Sequence, residues 1–115
     1  MYDCNLEDEA MQKLAPGLER APMKSLDLDS NRGITAIGLE ALAKGIASPR
    51  CKLEKLDVQR CDLDDAAIQK FSAHLPSMAP LQSLAVSYNN LSEQSKSELK
   101  AAWQKAGKSI DKLQT

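Results

Sequence analysis

The chain has 115 residues and a mass of 12.5 kDa, enough for one domain with a modest core and too short for a nucleotide-binding domain joined to a separate substrate domain. Apolar residues make up 43% and charged residues 27%, the balance of a soluble folded protein rather than a disordered one. Fifteen Lys and Arg against sixteen Asp and Glu leave a formal net charge of -1, and aromatics are only 3%, so nothing global points to nucleic acid, an anionic membrane or base stacking.

The first residues, Met1 to Glu7, carry neither a basic stretch nor an apolar run, so no signal peptide is expected. No stretch approaches 18 consecutive apolar residues, and no membrane insertion is expected either. A helical pattern begins at Leu6 and runs through Leu14, and Pro16 predicts that this helix ends or kinks near Ala15. Met23–Asn31 follows, with Leu26 and Leu28 at the period-2 spacing of a short strand. Ile34–Leu42 is again helical, and Leu39, Leu42 and Ile46 fall on one face. The order then recurs. Leu53–Cys61 is a strand pattern around Leu56 and Val58, and Leu63–Phe71 a helix carrying Ile68, Phe71 and Leu75, with Pro76 predicting its end near Leu75. Leu81–Asn89 is a strand around Leu84 and Val86, and Leu91–Leu99 opens a helix from about Glu93 to Lys105, with Gly107 as its C′ residue. Thr35, Asp64 and Ser92 stand where helix N-caps are needed. Ile110 and Leu113 lie 29 residues after Leu81 and Leu84, which predicts a short last strand over 110–115.

The helical segments start at residues 6, 34, 63 and 91, so the chain repeats every 28 or 29 residues. Asn31, Cys61 and Asn89 close the three strand patterns, and Cys4 holds the same place in a truncated first copy. Asparagine can satisfy turn N–H and C=O groups that lack a strand partner, and cysteine is small and tolerates burial there. The fifth residue of each helical segment is small (Ala10, Gly38, Ala67, Ser95), which lets each helix approach its neighbours.

These three registered L-x-x-L-x-L patterns, each closed by Asn or Cys and each followed by an equivalent helix, resemble the leucine-rich repeat family, in particular its long-repeat branch like the ribonuclease inhibitor. The resemblance covers nearly the whole chain. It implies an α/β solenoid of about three and a half repeats, with a short curved parallel sheet on the concave side and helices on the convex side. The expected division is a partial repeat 1–22, repeats 23–52, 53–80 and 81–109, and the terminal strand 110–115, within one domain 1–115. In this architecture Cys4, Asn31, Cys61 and Asn89 are a structural ladder.

The same architecture turns the residues between the inward leucines toward a concave solvent face. The expected protein-binding residues are Asp27, Asp29, Lys55, Asp57, Gln59, Arg60, Ser87 and Tyr88. Tyr88 and Arg60, side-chain types common at binding hot spots, form the centre, and the three aspartates form an acidic stripe that favours a basic partner surface. The implied function is a non-enzymatic protein–protein interaction module. The alternative is a structural subunit or C-terminal fragment of a larger repeat protein. Only three residues precede Cys4, so an exposed N-terminal edge would then pack on other protein, or promote self-association or a larger assembly.

Catalysis, a metal and a cofactor are not expected. His74 is the sole histidine and has no nucleophile at motif spacing, and no glycine-rich phosphate loop is present. Asp27 and Asp57 occupy equivalent strand positions, but open solvent disfavours the shifted acidity that acid–base work needs. Three cysteines without metal-ligand spacing point to free thiols in the cytoplasm or another reducing compartment. Asn90-Leu91-Ser92 matches a glycosylation sequon formally, and the lysines from Lys96 to Lys112 read as a solvated face.

Overall fold

The computed structural model describes residues 7–18 and 23–115. Helices and short strands alternate: α1 (Asp8–Leu18), β1 (Ser25–Asp27), α2 (Ala36–Ile46), β2 (Lys55–Asp57), α3 (Asp65–Ser72), β3 (Ser83–Ala85), α4 (Glu93–Lys105) and β4 (Leu113–Gln114). The strands form one parallel sheet in sequence order, β1-β2-β3-β4. Leu26 pairs with Leu56, Leu56 with Leu84 and Leu84 with Leu113, so residues in equivalent repeat positions lie side by side. An open sheet in this order, backed by helices, is a short leucine-rich repeat solenoid of about four units, the architecture the resemblance implies.

Burial follows the repeat. Leu26, Leu28, Leu56, Val58, Leu84 and Val86 point inward and meet Leu39, Leu42, Ile46, Ile68, Phe71, Leu75, Leu99 and Trp103 from the helices, all at most 5% exposed. Each large aliphatic side chain buried this way contributes about 1.5–3 kcal/mol, and stacking of the repeats makes that core continuous. The three expected caps accept helix-opening N–H groups: Thr35 from Ile37, Asp64 from Ala67 and Ser92 from Ser95. At the far end of α4 Gly107 takes φ +80, its N–H binds Gln104 O, and the Lys108 N–H binds Trp103 O, a complete Schellman stop.

Gly38 has a packing reason. A Cβ there would lie 2.9 Å from the Cα of Asp8, and in its place the Asp8 Oδ1 accepts the N–H groups of Gly38 (3.0 Å) and Thr35 (2.6 Å). One repeat thus caps the next. Asp65 does the same 57 residues on, with Oδ1 accepting the N–H of Ser92 at 2.8 Å.

Three expectations differ in detail. α1 continues through Pro16 to Leu18. The proline removes one N–H near the helix end, on an exposed side, while the buried Ala15 and Leu18 hold the last turn against the core. α3 ends at Ser72, three residues before Leu75, which instead opens a 3-10 turn over Leu75–Ser77. The residue before a proline disfavours helical geometry, and the tighter turn still delivers Leu75 to the core. In the terminal segment only Leu113–Gln114 is strand, because Ile110–Lys112 is another 3-10 turn and Ile110 is 40% exposed. Cys4 and the expected N-terminal edge lie outside the described residues.

Candidate binding face

The ladder is built from side chains that replace missing strand partners. Asn89 Nδ2 donates to the carbonyls of Val58 (3.0 Å) and Val86 (2.9 Å), and its Oδ1 accepts the N–H groups of Cys61 and Leu63. Asn31 Nδ2 donates to Leu28 O at 2.9 Å. Between them the Cys61 thiol donates weakly to Leu28 O, and burial pushes its pKa above the ordinary 9.0. Cys61 and Cys51 are buried and free. The ladder sets the turns that follow each strand, and those turns display the candidate residues.

On the strands, pairing puts Lys55 between Ser25 and Ser83, and Asp57 between Asp27 and Ala85. Together with Gln59 these residues line a shallow groove of about 260 Å³ along the sheet. Asp27 and Lys55 are exposed, and Asp57, Gln59 and Ser87 are half-buried. Each aspartate also braces its own strand exit: Asp27 Oδ1 accepts the N–H of Asp29 and Asp57 Oδ1 that of Gln59, both at 2.9 Å.

Asp29 departs from expectation. The repeat pattern predicts a solvent-facing side chain, but the residue is only 7% exposed. Alternation holds through the buried Leu28 and fails at Asp29, whose carboxylate stays within 4.8 Å of those of Asp27 and Asp57 but is covered by its partners at the turn. There it accepts Arg60 Nη1 at 2.8 Å and Ser30 Oγ at 2.7 Å. Arg60 in turn lies 4.8 Å over the ring of Tyr88, which is 72% exposed. Arg60 and Tyr88, adjacent by sequence register, are therefore in contact, and the link back to Asp29 is one that period-2 reading missed.

Asp27, Asp29 and Asp57 each offer an oxygen within 4.8 Å of the others, a grouping able to hold a cation. Asp29 is already engaged by Arg60, and no ion pair joins Asp27 or Asp57 to a basic residue among the described residues. The groove thus carries two carboxylates without an ion-pair partner among the described residues, with Lys55 beside them, next to the Arg60–Tyr88 pair.

Comparison with known proteins agrees with this architecture. A leucine-rich repeat family model matches residues 21–43 and 51–72. The chain is 30% identical over 94 residues to the ribonuclease inhibitor of Sus scrofa, spanning 81% of this chain and 20% of that protein. It is 32% identical over 95 residues to that of Mus musculus, with the same shares. It is 33% identical over 91 residues to the NACHT, LRR and PYD domains-containing protein 12 of Homo sapiens, spanning 78% of this chain and 8% of that protein. The chain thus spans about a fifth or less of the length of these relatives.

Proposed function

We propose that this leucine-rich repeat chain is a non-enzymatic module that binds another protein through the concave strand face, with Arg60 and Tyr88 at the centre of contact and the Asp27–Asp57 pair favouring a basic partner surface. The observation that carries it is Tyr88, a large aromatic left 72% exposed and held against Arg60 beside an open groove. Exposed aromatic and arginine side chains gain most when a partner excludes water from them. The relatives named ribonuclease inhibitors have names that describe action on another protein, which supports a protein partner here. Standard interfaces bury about 800 Å² per partner, so the contact extends from the groove over the turns that carry Arg60 and Tyr88.

The test is capture of partners on the immobilised chain, then titration of the recovered protein against Y88A and R60A. Each variant is expected to weaken binding by about 1–3 kcal/mol with little change in stability. Unchanged affinity for both, with a loss from the helix variants Q69A or K100A, moves the contact to the convex side.

A second reading takes the chain as part of a longer repeat array that packs through its N-terminal edge. The small share of the relatives that it spans favours this reading. Sedimentation over a concentration series tests the edge: self-association that Y88A and R60A leave untouched supports it, and a clean monomer at high concentration removes it.

A further inference from the structure

We infer that Asp29 is a positioning residue of the binding face: it holds Arg60 over the ring of Tyr88, so that the two act as one preorganised unit. The inference rests on the concave-face reading above for its functional meaning, but its geometry stands independently.

The turn after each of the first three strands carries a left-handed residue, and Ser30, Arg60 and Tyr88 fill it at φ 66, 55 and 60. Glycine or asparagine adopts this conformation at least cost. The chain instead keeps an arginine and a tyrosine there, and Tyr88 recovers little by burial. What the two residues gain is each other, with the guanidinium 4.8 Å above the ring.

Stacking alone leaves a long side chain free to slide. The second restraint comes from the preceding repeat. Asp29 Oδ2 accepts Arg60 Nη1 at 2.8 Å, and its other oxygen is held by Ser30 Oγ at 2.7 Å, so the acceptor is itself fixed. The Arg60 side chain remains about half exposed while that of Asp29 is almost buried. The arrangement is particular to this repeat pair. Gln59 and Ser87 stand where Asp29 stands, and the Gln59 amide turns to its own Asp57 at 3.1 Å. Asp29 therefore supplies the anion that ties three consecutive turns together. A guanidinium tied at one edge and stacked on one face loses less freedom when a partner docks. Its charge is also offset locally, which keeps it from neutralising Asp27 and Asp57.

The test is nuclear magnetic resonance on the full chain, with no partner present. In the wild type, the Arg60 side-chain protons should show an upfield ring-current shift that Y88L abolishes. The Arg60 Nε–H order parameter should stand well above those of the exposed Arg32 and Arg50. D29N should reduce the ring-current shift at least twofold and bring the order parameter toward that of Arg32, whereas S30A, which leaves the carboxylate charge, should retain most of both. An unchanged shift and order parameter in D29N overturns the inference and leaves the concave-face reading intact. Should D29N not fold, the wild-type measurement decides: an Arg60 as mobile as Arg32 overturns it. Loss of the concave-face reading is seen separately, as unaltered partner affinity in Y88A and R60A.

Discussion

Asn89 binds the backbone N–H of Cys61 across 28 residues, with its Oδ1 3.0 Å from the nitrogen. The same side chain serves Leu63 N–H and the carbonyls of Val58 and Val86, so one amide completes the turns of two repeats. Replacing it by alanine leaves several backbone groups without partners, and N89A should lose about 2–4 kcal/mol of stability in denaturant melts. N89D should be worse at neutral pH, since a carboxylate then faces two carbonyl oxygens, and part of its loss should return on acidification.

The strand phase is testable at neighbouring positions. Leu84 is fully buried and Ala85 half-buried on the concave side. L84A should cost about 2–5 kcal/mol through lost burial and an unfilled cavity. A85S should stay within about 0.5 kcal/mol of the parent. Equal losses would mean that the two side chains do not face opposite sides of the sheet.

Cys61 should be a slow thiol. Burial raises its pKa above 9.0, and the sulfur is turned to Leu28 O, so little thiolate forms and a reagent must wait for local opening. In a C4S background, Cys51 and Cys61 should react with a thiol reagent at pH 8 at least about 100-fold more slowly than in denaturant. A native disulfide between them, or rates matching the unfolded chain, would contradict the buried ladder.

Asp65 links stability to acid pH. Hydrogen bonds from the backbone and side chain of Ser92 hold its carboxyl below the ordinary 3.8. A carboxylate with a depressed folded value stabilises the fold above the unfolded value and loses that contribution as pH falls through the folded one. The stability difference between the wild type and D65N should therefore be constant from pH 7 down to about pH 5, shrink below pH 3.8, and vanish below the folded value. Urea melts of both proteins from pH 7 to pH 2 measure it. A gap that persists in strong acid would assign the loss to packing rather than to the charge.

Charge and contact should separate kinetically on the concave face. Reversing Asp27 and Asp57 to lysine should slow association of a basic partner and flatten its salt dependence. R60A should mainly speed dissociation, because Asp29 already offsets the arginine charge. Stopped-flow association at several salt concentrations distinguishes the two. Equal effects of the aspartate and arginine variants on association would show that Arg60 acts as a free cation.

The sequence by itself determined the repeat, the inward residues, the helix caps and the ladder. These are set locally, by period-2 alternation within a strand, 3.6-residue spacing within a helix, and the side-chain chemistry that a turn or cap requires. Leu56, Leu84, Thr35 and Asn89 stand where those rules place them. Only the tertiary structure decided what one repeat does for the next. The Asp8 carboxylate enters the gap at Gly38, Pro16 is carried by the burial of Leu18, and Asp29 is covered on the concave face where it holds Arg60. Local alternation holds through Leu28 and fails at Asp29. Beyond it, side-chain direction depends on turn dihedrals and on partners about thirty residues away, which no short-range period encodes.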